Sequence, residues 1–240
     1  MVVVTDFDKI KYMQKVAFFD IDGTLFRSSL LIELVEALIN EGIFPVESRD
    51  VYLNERRAWL DREGTYDTYI AALIDAFLQH IKGVHYGTFA DVGKRVVARH
   101  QKRVYRYTRD LIRELKHDGY FLIAISQSPK TVLDAFCKDY GFDKVYGRIY
   151  DIGPQDRFTG EVQDEHLIEN KANIVDRVFQ KHPELTRDGA VAVGDTDGDI
   201  PLLASVARPI CFNPNAELYK YAKKAGWEVV VERKDVIYKL

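Results

Sequence analysis

The chain of 240 residues carries Lys+Arg 34 against Asp+Glu 37, a formal net charge of -3 at pH 7, with 47% hydrophobic and 30% charged residues. That balance fits a globular protein with one large domain, or a core with an inserted module. It leaves no basic footprint for nucleic acid, no apolar run near the ~20 residues of a membrane span, and no basic start leading into an apolar stretch, so neither a membrane segment nor a secretory signal is expected.

The two cysteines, Cys137 and Cys211, lie far apart and form no C-x-x-C pair. They read as small buried apolar residues in a reducing cytoplasm, not as a disulfide or zinc framework. Residues 1–14 mix apolar and charged side chains and suggest no chemistry. Val16 to Phe19 then form a short buried-strand signal that stops at Asp20-Ile21-Asp22-Gly23-Thr24. Carboxylates two residues apart face the same way on a continuing strand, and Gly23 lets the backbone turn sharply behind them. Alone, such a turn is equally a solvated acidic exit from a strand.

Ser28 or Ser29 is a plausible cap for a helix with Leu30, Leu31, Leu34, Val35 and Leu38 along one face and Gly42 as its stop. Helical periodicity continues over 47–81 with a break near Gly64, and again from Phe89 to Arg103. From Arg27 to about Lys102 the pattern is helical throughout. Tyr52, Arg56, Arg57, Trp59, Tyr66 and Tyr69 in this block are candidate substrate contacts, but such residues read mainly as core aromatics and a solvated face. Arg27 is as well suited to the surface as to a substrate anion.

From Tyr105 the character changes. An amphipathic helix closed by Gly119 leads into a second buried strand, Phe121 to Ser126. Ser128 is expected to cap the next helix, with Pro129 at its first position, and that helix runs to Gly141. Two strand-like pieces follow at 145–150 and 157–162, then a helix opened by Asn170-Lys171. A third buried strand, Ala190 to Gly194, runs into Asp195-Thr196-Asp197-Gly198-Asp199. Pro201 starts a helix, 209–213 a fourth strand, and 216–226 a helix before 227–232. Strands alternating with helices predict an α/β fold with a doubly wound parallel sheet.

Three strands thus end in polar turns, at Asp20/Asp22, Ser126 and Asp195/Asp199. In a parallel sheet these turns share one edge, where ligands bind. Carboxylates crowded together need a cation, and oxygen ligands beside a phosphate suit Mg²⁺. A carboxylate can attack phosphorus, a neighbouring acid can protonate the leaving oxygen and then activate water, and Ser126 and Lys171 can face the phosphoryl oxygens. Asp197 reads as a solvated loop acid.

These residues resemble, in order, the four motifs of the haloacid dehalogenase superfamily: Asp20-Ile21-Asp22-Gly23-Thr24, Ser126, Lys171 and Gly194-Asp195-Thr196-Asp197-Gly198-Asp199. The helical insertion after the first motif, the RFTGEV stretch and Phe212-Asn213-Pro214 resemble its phosphoserine-phosphatase-like subgroup. The resemblance implies a Rossmann-like core over 1–26 and 103–240 and an all-helical cap over 27–102, which excludes water and selects substrate. It implies Asp20 as nucleophile and metal ligand, Asp22 as acid then base with its main-chain carbonyl on the metal, and Asp195 and Asp199 on Mg²⁺, Asp199 directly or through water. Ser126 and Lys171 would bind the phosphoryl group, with Gly23, Thr24 and Gly194 supporting the loops.

The expected activity is that of a phosphoric monoester hydrolase acting on a small phosphorylated metabolite, with no nucleic acid or membrane partner; no residue pattern speaks to an oligomeric state. Phosphoserine phosphatases, which this chain resembles, usually carry Ser where Gly23 stands, Ser-Gly-Gly where Ser126-Gln127-Ser128 stands, and an acid at the position of Ser29, all of which point to a different phosphomonoester. The alternatives are a phosphotransferase or mutase using the same aspartyl-phosphate, dehalogenase chemistry, which Asp22 and the acidic fourth motif oppose, and a catalytically silent binding module.

Overall fold

The computed structural model describes residues 13–240. Residues 1–12, most of the N-terminal segment that suggests no chemistry, lie outside the described residues. In chain order the elements are β1 (Gln14–Asp20), α1 (Leu30–Asn40), α2 (Leu53–Leu60), α3 (Tyr66–Ile81), α4 (Tyr86–His100), α5 (Arg106–His117), β2 (Phe121–Pro129), α6 (Lys130–Cys137), β3 (Lys144–Gly153), β4 (Arg157–Gln163), α7 (Glu165–Glu169), α8 (Lys171–Lys181), β5 (Leu185–Gly194), α9 (Ile200–Leu203), β6 (Arg208–Phe212), α10 (Ala216–Ala225), β7 (Glu228–Arg233) and β8 (Val236–Lys239).

One eight-stranded sheet has the order β4-β3-β2-β1-β5-β6-β7-β8. The pairs from β3 across to β7 are parallel, and only the edge strands β4 and β8 run antiparallel to their neighbours. This is the expected doubly wound sheet. The chain builds outward from β1 through β2 to β3, then returns to the other side of β1 with β5. Such a reversal opens a crevice at the carboxyl ends of the strands.

The apolar runs are continuous because both faces of the sheet are covered. Val16 and Phe18 of β1 pack into one cluster with Ile174, Val175 and Val178 of α8 and Leu218 and Ala222 of α10. Ala17 and Phe19 face the other way, into a cluster that continues through α5 and α6 into the helical insertion, to Leu34, Tyr52, Phe77 and Phe89. The insertion therefore shares its core with one face of the sheet. Tyr52 and Tyr69 are core aromatics of this region, and Tyr52 donates its hydroxyl to Glu36 Oε1 at 2.8 Å.

The insertion leaves and rejoins the sheet through a narrow neck. Arg27 N–H donates to Arg103 O at 3.0 Å and Tyr105 N–H to Leu25 O at 3.0 Å, around an antiparallel bridge between Phe26 and Val104. Thr108 of α5 adds a hydroxyl bond to Thr24 O at 2.9 Å. Arg27 is exposed and rests over the Tyr105 ring. Cys137 and Cys211 are both buried and unbonded, as their spacing suggests.

Some expectations need correction. Ser128 does not cap α6: β2 extends to Pro129, the helix starts at Lys130, and no side chain caps it. Pro129 occupies the cap position with φ -56° and ψ 128°, an extended geometry that frees the Ser128 hydroxyl for another partner. The helix after Pro201 is short, Ile200–Leu203. The helix α7 and the terminal strand β8 carried no clear periodic signal.

Candidate active site

Asp20 is the last residue of β1, and Asp195 follows the last residue of β5, its neighbour in the sheet. The two strands thus deliver their acids side by side, while β2, on the other flank of β1, delivers Ser126. Asp20, Asp22, Ser126, Lys171 and Asp195 line one cavity of about 220 Å³. Five of the residues singled out in the sequence therefore meet in one place. Asp199 sits behind the cavity wall, only 1% exposed.

The loop after β1 folds back on itself. Leu25 and Phe26 N–H both donate to Ile21 O, and Gly23 N–H to Phe26 O and Ser28 O. Gly23 takes φ +84°, and a Cβ there would lie 2.2 Å from Asp195 Oδ2. Glycine is required on both counts. Thr24 is fully buried and donates its hydroxyl to Asp195 Oδ1 at 2.9 Å, so it fixes the acid of the other strand.

Asp22 is held from three sides. Leu30 N–H, at the start of α1, donates to Oδ1 at 2.5 Å, and Oδ2 accepts the hydroxyls of Ser126 and, at 2.8 Å, Ser128. Ser29 caps the same helix by accepting Leu31 N–H at 3.2 Å, so the α1 N-terminus faces Asp22, a favourable place for an anion. Burial raises the Asp22 carboxyl above its ordinary value, against the opposing bonds from Ser126, Leu30 and Ser128.

Lys171 opens α8 behind the Asn170 cap, whose side chain accepts Ala172 N–H at 3.0 Å. Its Nζ lies 2.5 Å from Asp20 Oδ1 and 2.5 Å from Asp199 Oδ1. Burial alone would lower its ammonium, but Asp199 and Asp20 outweigh that and hold it charged. The remaining Asp199 oxygen accepts Asp195 N–H at 3.0 Å and Thr196 N–H at 3.1 Å, closing a small box over the acidic turn after β5. Gly194 makes room for it: a Cβ there would sit 2.6 Å from Asp199 Cβ. Asp197 is exposed and accepts the Asn215 amide at 2.7 Å.

Among the described residues, one oxygen each from Asp20, Asp195 and Asp199 lies within 4.8 Å of the others. Such a set of carboxylates fits a hard divalent cation of the Mg²⁺ type. With no cation, burial pushes Asp20 up to about 7, Lys171 opposes this, and Asp199 and Asp22 add to it. Burial and the Asp20 charge push Asp195 well above the usual range.

Tyr66, a candidate contact in the sequence, does line the cavity, whereas several other lining residues have no signal of their own. In sequence Ser128 resembles a helix cap. Arg148 and Tyr150 come from β3, and Leu31, Tyr66, Ile70 and Ile74 from the insertion. Tyr66 has its phenol pushed up by burial and by the nearby Asp22 and Asp195. Which face of α3 looks into the cavity is settled by how the insertion docks, and periodicity alone cannot show that. Arg27, weighed as a substrate contact, does not line the cavity.

The haloacid dehalogenase-like hydrolase family model matches residues 17–204 of this chain. The chain belongs to that family. It is 26% identical over 231 residues to the histidinol-phosphatase of Neisseria meningitidis serogroup C, across 91% of this chain and 99% of that protein. It is 25% identical over 219 residues to phosphoserine phosphatase SerB1 of Mycobacterium tuberculosis, across 89% of this chain and 69% of that one. A solved structure of a phospho-aspartyl intermediate analogue of phosphoserine phosphatase shares the fold, with a TM-score of 0.60 at 20% identity over 92% of this chain and 95% of the other. The family and fold expected from the four motifs are thus both borne out.

Proposed function

We propose that this chain is a Mg²⁺-dependent phosphatase that hydrolyses a small phosphomonoester through an aspartyl-phosphate on Asp20. The observation that carries the reading is the meeting of Asp20, Asp195, Asp199 and Lys171 beside an Asp22 held by serine hydroxyls, at the switch point of the sheet. Relatives named as phosphatases support the reaction class.

Asp20 Oδ attacks phosphorus and the bond to the ester oxygen breaks. Asp22 gives its proton to that leaving oxygen, and the alcohol departs. The Asp22 carboxylate then takes a proton from water as the water oxygen attacks the phosphoryl group, the bond to Asp20 breaks, and inorganic phosphate leaves. Ser126 and Lys171 are positioned to hold the phosphoryl oxygens. Asp20, Asp195, Asp199 and the main-chain carbonyl of Asp22 would hold Mg²⁺, which when bound supplies positive charge to the crowded carboxylates and the phosphoryl oxygens. The helical insertion over 27–102 acts as the cap, a reading supported by its two-stranded neck and by Tyr66, Ile70 and Ile74 in the cavity wall. Free buried cysteines support a reducing, cytoplasmic setting.

Phosphate release from a panel of small phosphomonoesters, with Mg²⁺ and after chelation, tests this. Turnover is expected only with Mg²⁺. Asp20→Asn should remove it, by at least about 10³-fold for loss of a covalent nucleophile, and should remove the phosphoryl mass adduct expected on acid-quenched wild-type protein. Unchanged turnover in Asp20→Asn would reject the mechanism.

A further inference from the structure

The cavity contains a cation that the chemistry above does not use. Arg148 lies on β3 beside Pro129 of β2, next to the Ser126–Ser128 turn. Its side chain is only 9% exposed. A guanidinium has five N–H donors in a fixed fork and stays charged. Here Nε has no hydrogen-bond partner. Nη2 reaches Gln127 Oε1 only at 3.5 Å, and the ion pair from Nη1 to the half-exposed Glu165 is stretched to 4.0 Å. Its neighbour Tyr150 is buried too, and its phenol takes a side-chain hydrogen bond from Arg148, so the fork is engaged in part. A buried charge so loosely partnered is costly unless a ligand completes it.

The cavity supplies the rest of the argument. Its lining cations are Lys171 and Arg148, and Lys171 already bridges Asp20 and Asp199. Ser29, the lining residue at the head of α1, is neutral and spends its oxygen on Leu31 N–H. The leaving group must occupy the space beyond the phosphoryl position. There it meets Leu31, Tyr66, Asp67, Ile70 and Ile74 of the insertion and the incompletely bonded fork of Arg148.

We propose that Arg148 is a specificity residue that binds a second oxyanion, a carboxylate or a second phosphate, on the leaving group of the substrate. The proposal rests on the phosphatase reading and deepens it. The substrate class is a phosphomonoester with an anionic tail, and the two N–H groups of the fork give it a bidentate seat.

The test uses phenyl phosphate, 4-carboxyphenyl phosphate and 1,4-phenylene bisphosphate with the full chain and Mg²⁺. The readout is the ratio of kcat/KM for each anionic ester to that for phenyl phosphate. Wild type should favour an anionic ester, and Arg148→Gln should lower that ratio about tenfold to a hundredfold, the range for a charged hydrogen-bond pair, chiefly through KM. Arg148→Lys should recover part of it. A preference for the carboxylate or for the bisphosphate identifies the oxyanion. An unchanged ratio in Arg148→Gln, or a wild type without preference for either anionic ester, overturns the proposal. If wild type turns over none of the esters, the phosphatase reading has failed by itself. Calorimetric binding of 4-carboxyphenyl phosphate and of the bisphosphate to wild type and Arg148→Lys then still judges Arg148: weaker binding of either by the variant supports the seat, and equal binding of both removes it.

Discussion

Gly23 and Asp195 are 172 residues apart in sequence, yet Asp195 Oδ2 stands 2.2 Å from where a Cβ on Gly23 would sit. Gly23→Ala therefore meets two penalties, a positive φ and a displaced carboxylate. The first costs about 1–2 kcal/mol of stability, readable by chemical denaturation. The second should lower kcat about 10²-fold, since a shift of about 1 Å in a reacting group is enough for that. Activity within a few-fold of wild type would mean that Asp195 need not stand where the loop now fixes it. Ser128 makes a complementary point. Its neighbour Pro129 made it look like a helix cap, but an extended backbone sends its hydroxyl to Asp22 instead.

Among the elements, α3 carries the clearest consequence. Phe77 is fully buried, and its ring contacts Phe44 at 6.0 Å, Phe89 at 6.2 Å and Tyr150 of β3 at 5.1 Å. The insertion and the sheet are thus joined through tilted and edge-on aromatics, in one cluster. Phe77→Ala should cost about 3–5 kcal/mol, seen as a lower denaturation midpoint for the whole chain. A wild-type midpoint would mean that the insertion and the sheet do not share this core in solution. The α1 helix shows the same coupling in miniature: Ser29 caps the helix by accepting Leu31 N–H, while the first N–H group, that of Leu30, holds Asp22.

For the whole molecule, the sheet's switch point gathers acids that repel one another, and this links stability to pH. Burial raises Asp20 from the ordinary 3.8 to about 7 in the metal-free protein and raises Asp195 as well. A folded state that holds protons more tightly than the unfolded chain is favoured at low pH. That contribution is fully present below the unfolded value and is lost as pH rises through the folded value. Lys171 is also raised, but it stays charged across this window and does not change the slope. The chelated protein should therefore melt at progressively lower temperature as pH rises between 3.8 and about 7, after allowance for acid effects elsewhere. Mg²⁺, by binding the ionised acids, should flatten that trend. Melting curves with and without chelator check this, and a Mg²⁺ effect that is the same at both ends of the window would contradict it.

Much of this protein was legible in one dimension. Val16 to Phe19, Phe121 to Ser126 and Ala190 to Gly194 are apolar runs because both faces of the sheet are covered, and each ends in the polar residues that a parallel sheet must bring to one edge. Local pattern therefore carried the α/β architecture, the family and the acidic constellation. Arg148 was not legible, because a lone residue on a strand has no spacing that marks it, and its neighbours come from distant parts of the chain; Tyr66 stood out only as one of six candidates in the insertion. The same holds for the shared core of insertion and sheet, since periodicity tells which face of a helix is apolar and not what that face rests against. Those features depend on how separately formed elements pack, which long-range contacts alone establish.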